Sequence, residues 1–253
     1  MKSQELEYQE PLDFFKQLDL CDQTAVFLYS STSQSYSGKY SVIALFPTQL
    51  IKTNDFSELS QITIDEKLQT AYFSSGYFGY ISYDVKNQFE KLPIDQSADL
   101  KHPLIQFASF AVVYVFYHSE KKMRVYFDSL QSLEKVEHLK SKKSSNRSIT
   151  IAQLHSNFTK SSYISAIEKV KEYIFAGDIF EANLTRKYFG EFSESPDASD
   201  LFVQLVQKSP SQYSAFMKFD DLLILSASPE RFLKIKGRQV NSKPIKGTRP
   251  RST

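Results

Sequence analysis

Residues 107–127 read FASFAVVYVFYHSEKKMRVYF and carry a strong signal for paired β-strands. Eight of the eleven residues 107–117 are aromatic or β-branched, a composition that favours an extended chain. Residues 124–127 have the same character, and the polar residues Glu120, Lys121 and Lys122 separate the two runs. This spacing predicts a β-hairpin, and it suggests a fold built from antiparallel strands.

Shorter apolar runs precede this hairpin. We predict strands at residues 25–29, 40–46 and 71–83, a helix at residues 11–20 and a helical stretch ending at Phe89. Pro47 is expected to end the second strand, because proline cannot donate a ladder hydrogen bond. Gly76 and Gly79 are expected to interrupt the third strand.

Residues 131–148 are rich in Lys, Ser and Glu and have few large apolar side chains. We interpret them as a helix followed by an exposed linker. This composition predicts a division of the chain into an N-terminal region, 1–148, and a second region, 149–253.

The second region opens on a helix that Thr159 or Ser161 can cap and that Gly177 can end, because a helix C-terminus favours a left-handed residue. The period then changes to two, with Phe180, Ala182, Leu184 and Tyr188 on one face, which predicts a strand. A helix over residues 201–206 and two hairpins, turning at 220–221 and 237–238, complete the prediction. The fold class is therefore α+β, with mostly antiparallel sheets and flanking helices.

Composition excludes several classes of protein. The net charge of +2 is too small for a nucleic-acid footprint. Cys21 is the only cysteine, so the chain can form neither an internal disulfide nor a cysteine-based zinc cluster. The N-terminus is polar, and no apolar run approaches the about 20 residues that span a bilayer. We expect a cytoplasmic protein.

The histidines have no spacing typical of metal ligands, and we interpret all four as ordinary surface or core residues. They are His102, His118, His138 and His155.

The most informative chemistry lies in the segment Pro244-Ile245-Lys246-Gly247-Thr248. Nearby cations and partial desolvation lower the pKa of a lysine, so Lys246 could be a neutral nucleophile near pH 7. Glu230 precedes the last hairpin, which could return Lys246 to its side for proton transfer. Two simpler interpretations stay open: the segment is a basic tail, and Glu230 forms an ion pair with Arg231 or a lysine.

Several motifs together resemble the chorismate-utilising enzymes, a family that includes anthranilate synthase component I, aminodeoxychorismate synthase component I and the isochorismate and salicylate synthases. The matching segments are GYFGYISYD (76–84), SNFT (156–159), GDIFEANLTR (177–186), SAF (214–216), SPERF (228–232) and PIKGT (244–248). Glu181 stands where the family usually has glutamine. The resemblance covers most of the chain and implies this family's fold.

Lys246 distinguishes between members of the family, because anthranilate synthases typically carry Pro-Ile-Ala-Gly-Thr here. The resemblance implies an aminodeoxychorismate synthase component I, in which the lysine attacks chorismate and ammonia then replaces it, giving 4-amino-4-deoxychorismate for 4-aminobenzoate and folate synthesis. Glu230 would be the acid/base residue, and Gly247 and Thr248 would face the substrate. A glutamine amidotransferase subunit would supply the ammonia.

The resemblance also implies a tryptophan site, because many relatives hold tryptophan as an inhibitor or a structural ligand. The matching positions are Ser30, Ser37, Gly38, Lys39, Tyr40, Gln212, Tyr213 and Ser214. The alternative is a Ser-rich surface loop that binds no ligand.

Family members continue beyond Pro-Ile-Lys-Gly-Thr with roughly as much again of the chorismate-binding domain, which carries the Mg²⁺-binding glutamates and a catalytic histidine. We therefore expect Mg²⁺ as a cofactor with ligands outside residues 1–253, and a chain that is the N-terminal part of a longer enzyme or a truncated reading frame, inactive alone. The alternatives are an anthranilate synthase or another chorismate enzyme, and a non-catalytic fragment that binds tryptophan or the amidotransferase.

Overall fold

The computed structural model describes residues 1–31, 38–62, 76–91, 101–140 and 149–245. The strands are β1 (Lys2–Leu6), β2 (Ala25–Tyr29), β3 (Tyr40–Thr53), β4 (Phe78–Ile81), β5 (Ile105–Tyr117), β6 (Lys122–Phe127), β7 (Ile151–Ser156), β8 (Tyr188–Phe192), β9 (Tyr213–Lys218), β10 (Leu223–Ser228), β11 (Arg231–Lys236) and β12 (Gln239–Lys243). The α-helices are α1 (Pro11–Lys16), α2 (Leu130–Leu139), α3 (Lys160–Ala176) and α4 (Ala198–Lys208), and 3₁₀ helices cover Phe56–Gln61 and Tyr83–Gln88.

The chain forms two compact units. One contains residues 1–145 and 197–253, and the other contains residues 146–196. The predicted division at residue 148 stays a prediction.

An eight-stranded antiparallel sheet organises the larger unit. Its order is β1-β6-β5-β3-β2-β9-β10, and β4 pairs with the first part of β5. The predicted hairpin of β5 and β6 is confirmed, with Val112 opposite Phe127 and Tyr117 opposite Lys122. The α+β class with antiparallel sheets is confirmed as well.

Successive side chains of β5 point to opposite faces of the sheet and pack into two different hydrophobic clusters. Val112, Tyr114 and Phe116 pack on the face covered by α1, α2 and α4, where Phe15 and Phe202 are also buried. Val113 and Val115 enter the cluster on the opposite face. Both faces of this strand are therefore buried, which explains its continuous apolar sequence.

The prediction that Pro47 ends a strand is wrong. β3 continues to Thr53, and the register shifts between Pro47 and Gln49. The preceding residue, Phe46, has a φ of 62°. A β-bulge thus accommodates the missing N–H of proline and lets the ladder resume beyond it.

Two other strand predictions need correction. The predicted strand over residues 71–83 is limited to Phe78–Ile81 among the described residues, and residues 71–75 lie outside them. The predicted strand after Gly177 begins only at Tyr188, because residues 179–187 have no strand partner within the described part of the chain. Phe180, expected on its apolar face, is 91% exposed.

The smaller unit contains α3 and the antiparallel pair of β7 and β8. Thr159 caps α3, because its hydroxyl accepts the amide N–H of Ser162 at 3.1 Å. Gly177 ends the helix with a φ of 83°, as its sequence position predicts. No helix in the described part of the chain is long and apolar enough to span a membrane.

Gly79 is required by the pairing of β4 with β5. A Cβ atom at this position would overlap the backbone oxygen of Gln106. We predict that Gly79→Ala lowers the free energy of unfolding by about 1–3 kcal/mol, because the strands would have to separate. Urea denaturation measures this change. Ile81→Ala, at an exposed position of the same strand, is the control, and its free energy of unfolding should stay within about 0.5 kcal/mol of wild type. If both variants lowered the free energy of unfolding equally, the close contact between Gly79 and Gln106 would not explain the effect.

Candidate functional site

Glu230 lies at the corner between β10 and β11. Its amide N–H donates to the hydroxyl of Ser228 at 3.4 Å, and that hydroxyl is 3.2 Å from the carbonyl oxygen of Glu230. Ser228 in turn lies opposite Tyr213 in the main sheet. A half-buried glutamate is therefore attached to the sheet edge through its own backbone.

The hairpin of β11 and β12 returns the chain towards Glu230. Arg231 pairs with Lys243, so Pro244 and Ile245 leave the hairpin at the end where Glu230 enters it. The predicted nucleophile and substrate contacts, Lys246, Gly247 and Thr248, lie outside the described residues.

A cavity of about 460 Å³ lies at the ends of β2 and β9 in the larger unit. Six of the positions predicted for tryptophan line it: Gly38, Lys39, Tyr40, Gln212, Tyr213 and Ser214. Ser37 lies outside the described residues. The walls also include the apolar side chains of Leu28 and Val42. The structure thus brings two sequence segments together around one concave site.

Hydrogen bonds join these two segments. The amide N–H and the hydroxyl of Ser31 both donate to the carbonyl oxygen of Ser211, at 3.1 and 2.9 Å. The hydroxyl groups of Ser211 and Ser214 are 2.7 Å apart and buried. These contacts fix the start of β9 against the end of β2, where the cavity opens.

Ser30, the remaining predicted position, is buried and held through a histidine. Its amide N–H donates to the hydroxyl of Ser41 at 3.1 Å, and that hydroxyl lies 2.9 Å from Nε2 of His118. The amide N–H of His118 donates to the carbonyl oxygen of Lys39 at 3.1 Å. His118 therefore holds both ends of the connection between β2 and β3, a role that its sequence position did not indicate.

The surroundings of His118 favour a neutral imidazole. Burial lowers the pKa of His118 below its ordinary value of 6.5, Glu10 acts in the opposite direction, and Lys121 lowers the pKa further. The Ser41 hydroxyl oxygen accepts a hydrogen bond from the backbone N–H of Ser30, so the hydroxyl hydrogen of Ser41 is available for donation to Nε2 of His118. Nδ1 lies 3.5 Å from the Tyr8 hydroxyl.

Cations converge on the side of the cavity formed by the β11–β12 hairpin. Arg231 and Lys234 line the cavity together with Lys39. Desolvation lowers the pKa of the neighbouring Lys243, and Arg231, Lys234 and Lys39 lower it further by repulsion. Sequence reasoning missed Arg231 and Lys234 as cavity residues, because only the position of the folded hairpin reveals them.

Within the described ranges, no three His, Cys, Asp or Glu residues cluster as metal ligands would. The described residues therefore do not form a site that fits Mg²⁺.

The chain matches known proteins along most of its length. A family model described as chorismate binding enzyme matches residues 22–253. Anthranilate synthase component 1 of Saccharolobus solfataricus is 29% identical over 251 residues, which cover 97% of this chain and 57% of that protein. Aminodeoxychorismate synthase component 1 of Bacillus subtilis is 28% identical over 193 residues, which cover 71% of this chain and 41% of that protein.

A solved structure supports the same fold. The crystal structure of anthranilate synthase component I from Streptococcus pneumoniae TIGR4 aligns with a TM-score of 0.67 at 20% identity, over 83% of this chain and 54% of that chain. The chain thus spans about half the length of the relatives it matches.

His118 predicts a specific pH dependence of stability. Because its pKa is lowered on folding, the unfolded chain takes up a proton first as the pH falls through 6.5. The free energy of unfolding should therefore fall between pH 7.5 and 5, and His118→Gln should reduce that slope. Urea denaturation across this range measures the slope. His155→Gln, at an exposed histidine, is the control; identical slopes in wild type and His118→Gln would contradict the assignment.

Proposed function

Because this chain belongs to the chorismate binding enzyme family, we propose that it is the chorismate-converting component of an aminodeoxychorismate synthase. The observation that carries the proposal is the lysine at position 246, within Pro-Ile-Lys-Gly-Thr. Relatives named anthranilate synthase component 1 and relatives named aminodeoxychorismate synthase component 1 match the chain at similar identity. Overall similarity therefore does not favour either activity. A primary amine at this position supplies a nucleophile that the alanine typical of anthranilate synthases does not.

The proposed reaction proceeds in two substitutions. The neutral amine of Lys246 forms a bond to C2 of chorismate while the C4 hydroxyl departs, and the two ring double bonds move from C1=C2 and C5=C6 to C1=C6 and C4=C5. Ammonia then forms a bond to C4, and the bond from C2 to the lysine nitrogen breaks as both double bonds return to C1=C2 and C5=C6. The product is 4-amino-4-deoxychorismate, and the hydroxyl leaves as water once it has gained a proton.

Glu230 is the proposed proton donor for that departing hydroxyl. Its backbone is fixed by Ser228, and the register of the last hairpin sets Lys243 opposite Arg231, the residue that follows Glu230. A carboxyl group held at such a corner can give a proton to the leaving group and recover it in the next step. Gly247 and Thr248 are the proposed substrate contacts next to the nucleophile.

The proposed enzyme draws ammonia from a glutamine amidotransferase subunit, in line with relatives named as component 1 of their synthases. Mg²⁺ at the substrate carboxylate, with ligands outside the described residues, is part of the same proposal. Both assignments apply to the whole protein rather than to the described residues.

The nucleophile can be tested by trapping. Chorismate supplied to the native protein without ammonia should leave a covalent adduct on Lys246, detected by intact mass and peptide mapping. Lys246→Ala should lose the adduct and lower aminodeoxychorismate formation by roughly a thousandfold or more, because the nucleophile is removed. It could also divert chorismate towards anthranilate.

Lys236→Ala, on β11 at a position that does not line the cavity, is the control for loss of a positive charge. Unchanged aminodeoxychorismate formation in Lys246→Ala would overturn the covalent role of this lysine.

A second candidate function is tryptophan binding, either regulatory or structural. The specific observation in its favour is the cavity that gathers six of the eight predicted positions. Its volume of about 460 Å³ falls in the range of about 300–1,000 Å³ typical of small-molecule sites.

We expect calorimetry to detect saturable binding of tryptophan to this chain. Ala215→Leu should weaken it about tenfold or more, because the larger side chain fills part of the cavity wall. Ser109→Ala, at a position that does not line the cavity, should bind like wild type. Equal binding by both variants would contradict the location of the site.

A further inference from the structure

The connection between β2 and β3 forms one wall of the cavity, but it is held in place from outside the cavity. Gly38 and Lys39 of this connection line the cavity, and Tyr40 and Val42 of β3 continue the same wall. His118 is not one of the lining residues, yet its amide N–H donates to the carbonyl oxygen of Lys39 at 3.1 Å. His118 therefore supports this wall from behind.

Ser41 links the His118 ring to the other end of the connection. Successive side chains of a strand point to opposite faces, so Ser41 lies on the face away from Tyr40 and Val42. Its hydroxyl oxygen accepts the amide N–H of Ser30 at 3.1 Å and lies 2.9 Å from Nε2 of His118. The Ser41 side chain is fully buried. One buried hydroxyl thus joins the start of the connection to the imidazole.

This arrangement of hydrogen bonds requires a neutral imidazole. While Nε2 is unprotonated, it can accept the Ser41 hydroxyl hydrogen, and the hydroxyl oxygen stays available to the Ser30 N–H. An imidazolium carries hydrogen on both ring nitrogens, so Nε2 can no longer accept. The buried hydroxyl hydrogen of Ser41 then loses this acceptor, which costs free energy. Protonation of His118 therefore disfavours the bonded arrangement at Ser30.

Charged groups on the other side of the ring influence when the proton is gained. Nδ1 of His118 lies 3.5 Å from the Tyr8 hydroxyl, which donates to the carboxylate of Glu10 at 3.4 Å. Glu10 forms an ion pair with Lys121 at 2.8 Å. Burial lowers the pKa of His118, Glu10 raises it and Lys121 lowers it. Lys121 therefore offsets the carboxylate that would otherwise stabilise the imidazolium.

We propose that His118 is a positioning residue that makes the cavity sensitive to protons: a proton gained by its imidazole loosens the Ser30 end of the connection and lowers the affinity of the cavity for its ligand. The inference rests on the proposed tryptophan binding and adds a regulation of it. By linkage, the ligand prefers the form of the chain in which His118 is neutral. Its affinity should therefore fall as the pH falls from 7.5 to 5.

Calorimetry with tryptophan across this pH range tests the proposal, because tryptophan itself keeps the same charges throughout. The wild-type chain should bind tryptophan at least about fivefold more weakly at pH 5 than at pH 7.5. His118→Gln should bind it with nearly the same affinity at both values. His155→Gln, at an exposed histidine in the smaller unit, should keep the wild-type profile. Equal wild-type affinity at both pH values, or a wild-type profile in His118→Gln, would overturn the proposal.

Surface variants keep the test decisive if His118→Gln fails to fold. Lys121→Met removes an exposed cation that opposes the imidazolium, so the midpoint of the pH profile should rise by about half a pH unit. Lys122→Met, at the adjacent exposed lysine that faces Glu120, is the matched control and should leave the midpoint unchanged. A merely structural role of His118 would not separate these two variants. Equal midpoints would overturn the proposal.

Hydrogen exchange at the Ser30 amide distinguishes this inference from the tryptophan assignment. In the ligand-free chain, NMR should show at least about fivefold more loss of protection at Ser30 than at Val115, in the buried centre of β5, between pH 7.5 and 5. If tryptophan binds at no pH while Ser30 shows this loss, the tryptophan assignment fails and the proton-sensitive connection is supported. Equal losses at Ser30 and Val115 would overturn the inference, whatever tryptophan does.

Discussion

The pairing of β3 with β5 is the constraint on which the larger unit depends. The two strands stay paired from Tyr40 opposite Tyr117 to Thr53 opposite Ile105, across the bulge at Pro47. β5 is buried on both faces, so any slip of this register by one residue would exchange its two sets of core side chains. The register is therefore fixed by packing as well as by hydrogen bonds, and the positions of the strands on either side depend on it.

The cavity follows from the position of β2 in this sheet. β2 pairs with β3 on one edge and with β9 on the other, which sets Tyr29 opposite Ser214. Segments far apart in the sequence thus end at the same place, where Ser31 bonds to Ser211. His118 follows β5 directly and holds the two ends of the connection between β2 and β3. The geometry of the cavity is in this way tied to the central strands.

Local patterns predicted much of this fold correctly. The β5–β6 hairpin, the cap at Thr159, the helix end at Gly177 and the turn at Gly237 all depend on residues close in sequence. Two predictions failed where the outcome depends on a distant partner. Pro47 stays within a strand because β5 continues beside it, whereas residues 179–187 pair with no strand in the described part of the chain.

The residues of the candidate site also fall into those that sequence could predict and those that it could not. The resemblance to a family indicated the positions around Gly38 and Gln212. Arg231 and Lys234 could not be assigned to the cavity from sequence, since their side chains reach it only through the folded position of the last hairpin. His118 was missed for a related reason: its partners, Ser41 and Tyr8, are distant in the sequence.

The proposed role of Lys246 is to direct this member of the chorismate binding enzymes towards amination at C4. Mass spectrometry can identify the product after the native protein is incubated with chorismate, Mg²⁺ and ammonium. We expect 4-amino-4-deoxychorismate without release of pyruvate. Formation of anthranilate together with pyruvate would refute the proposed role.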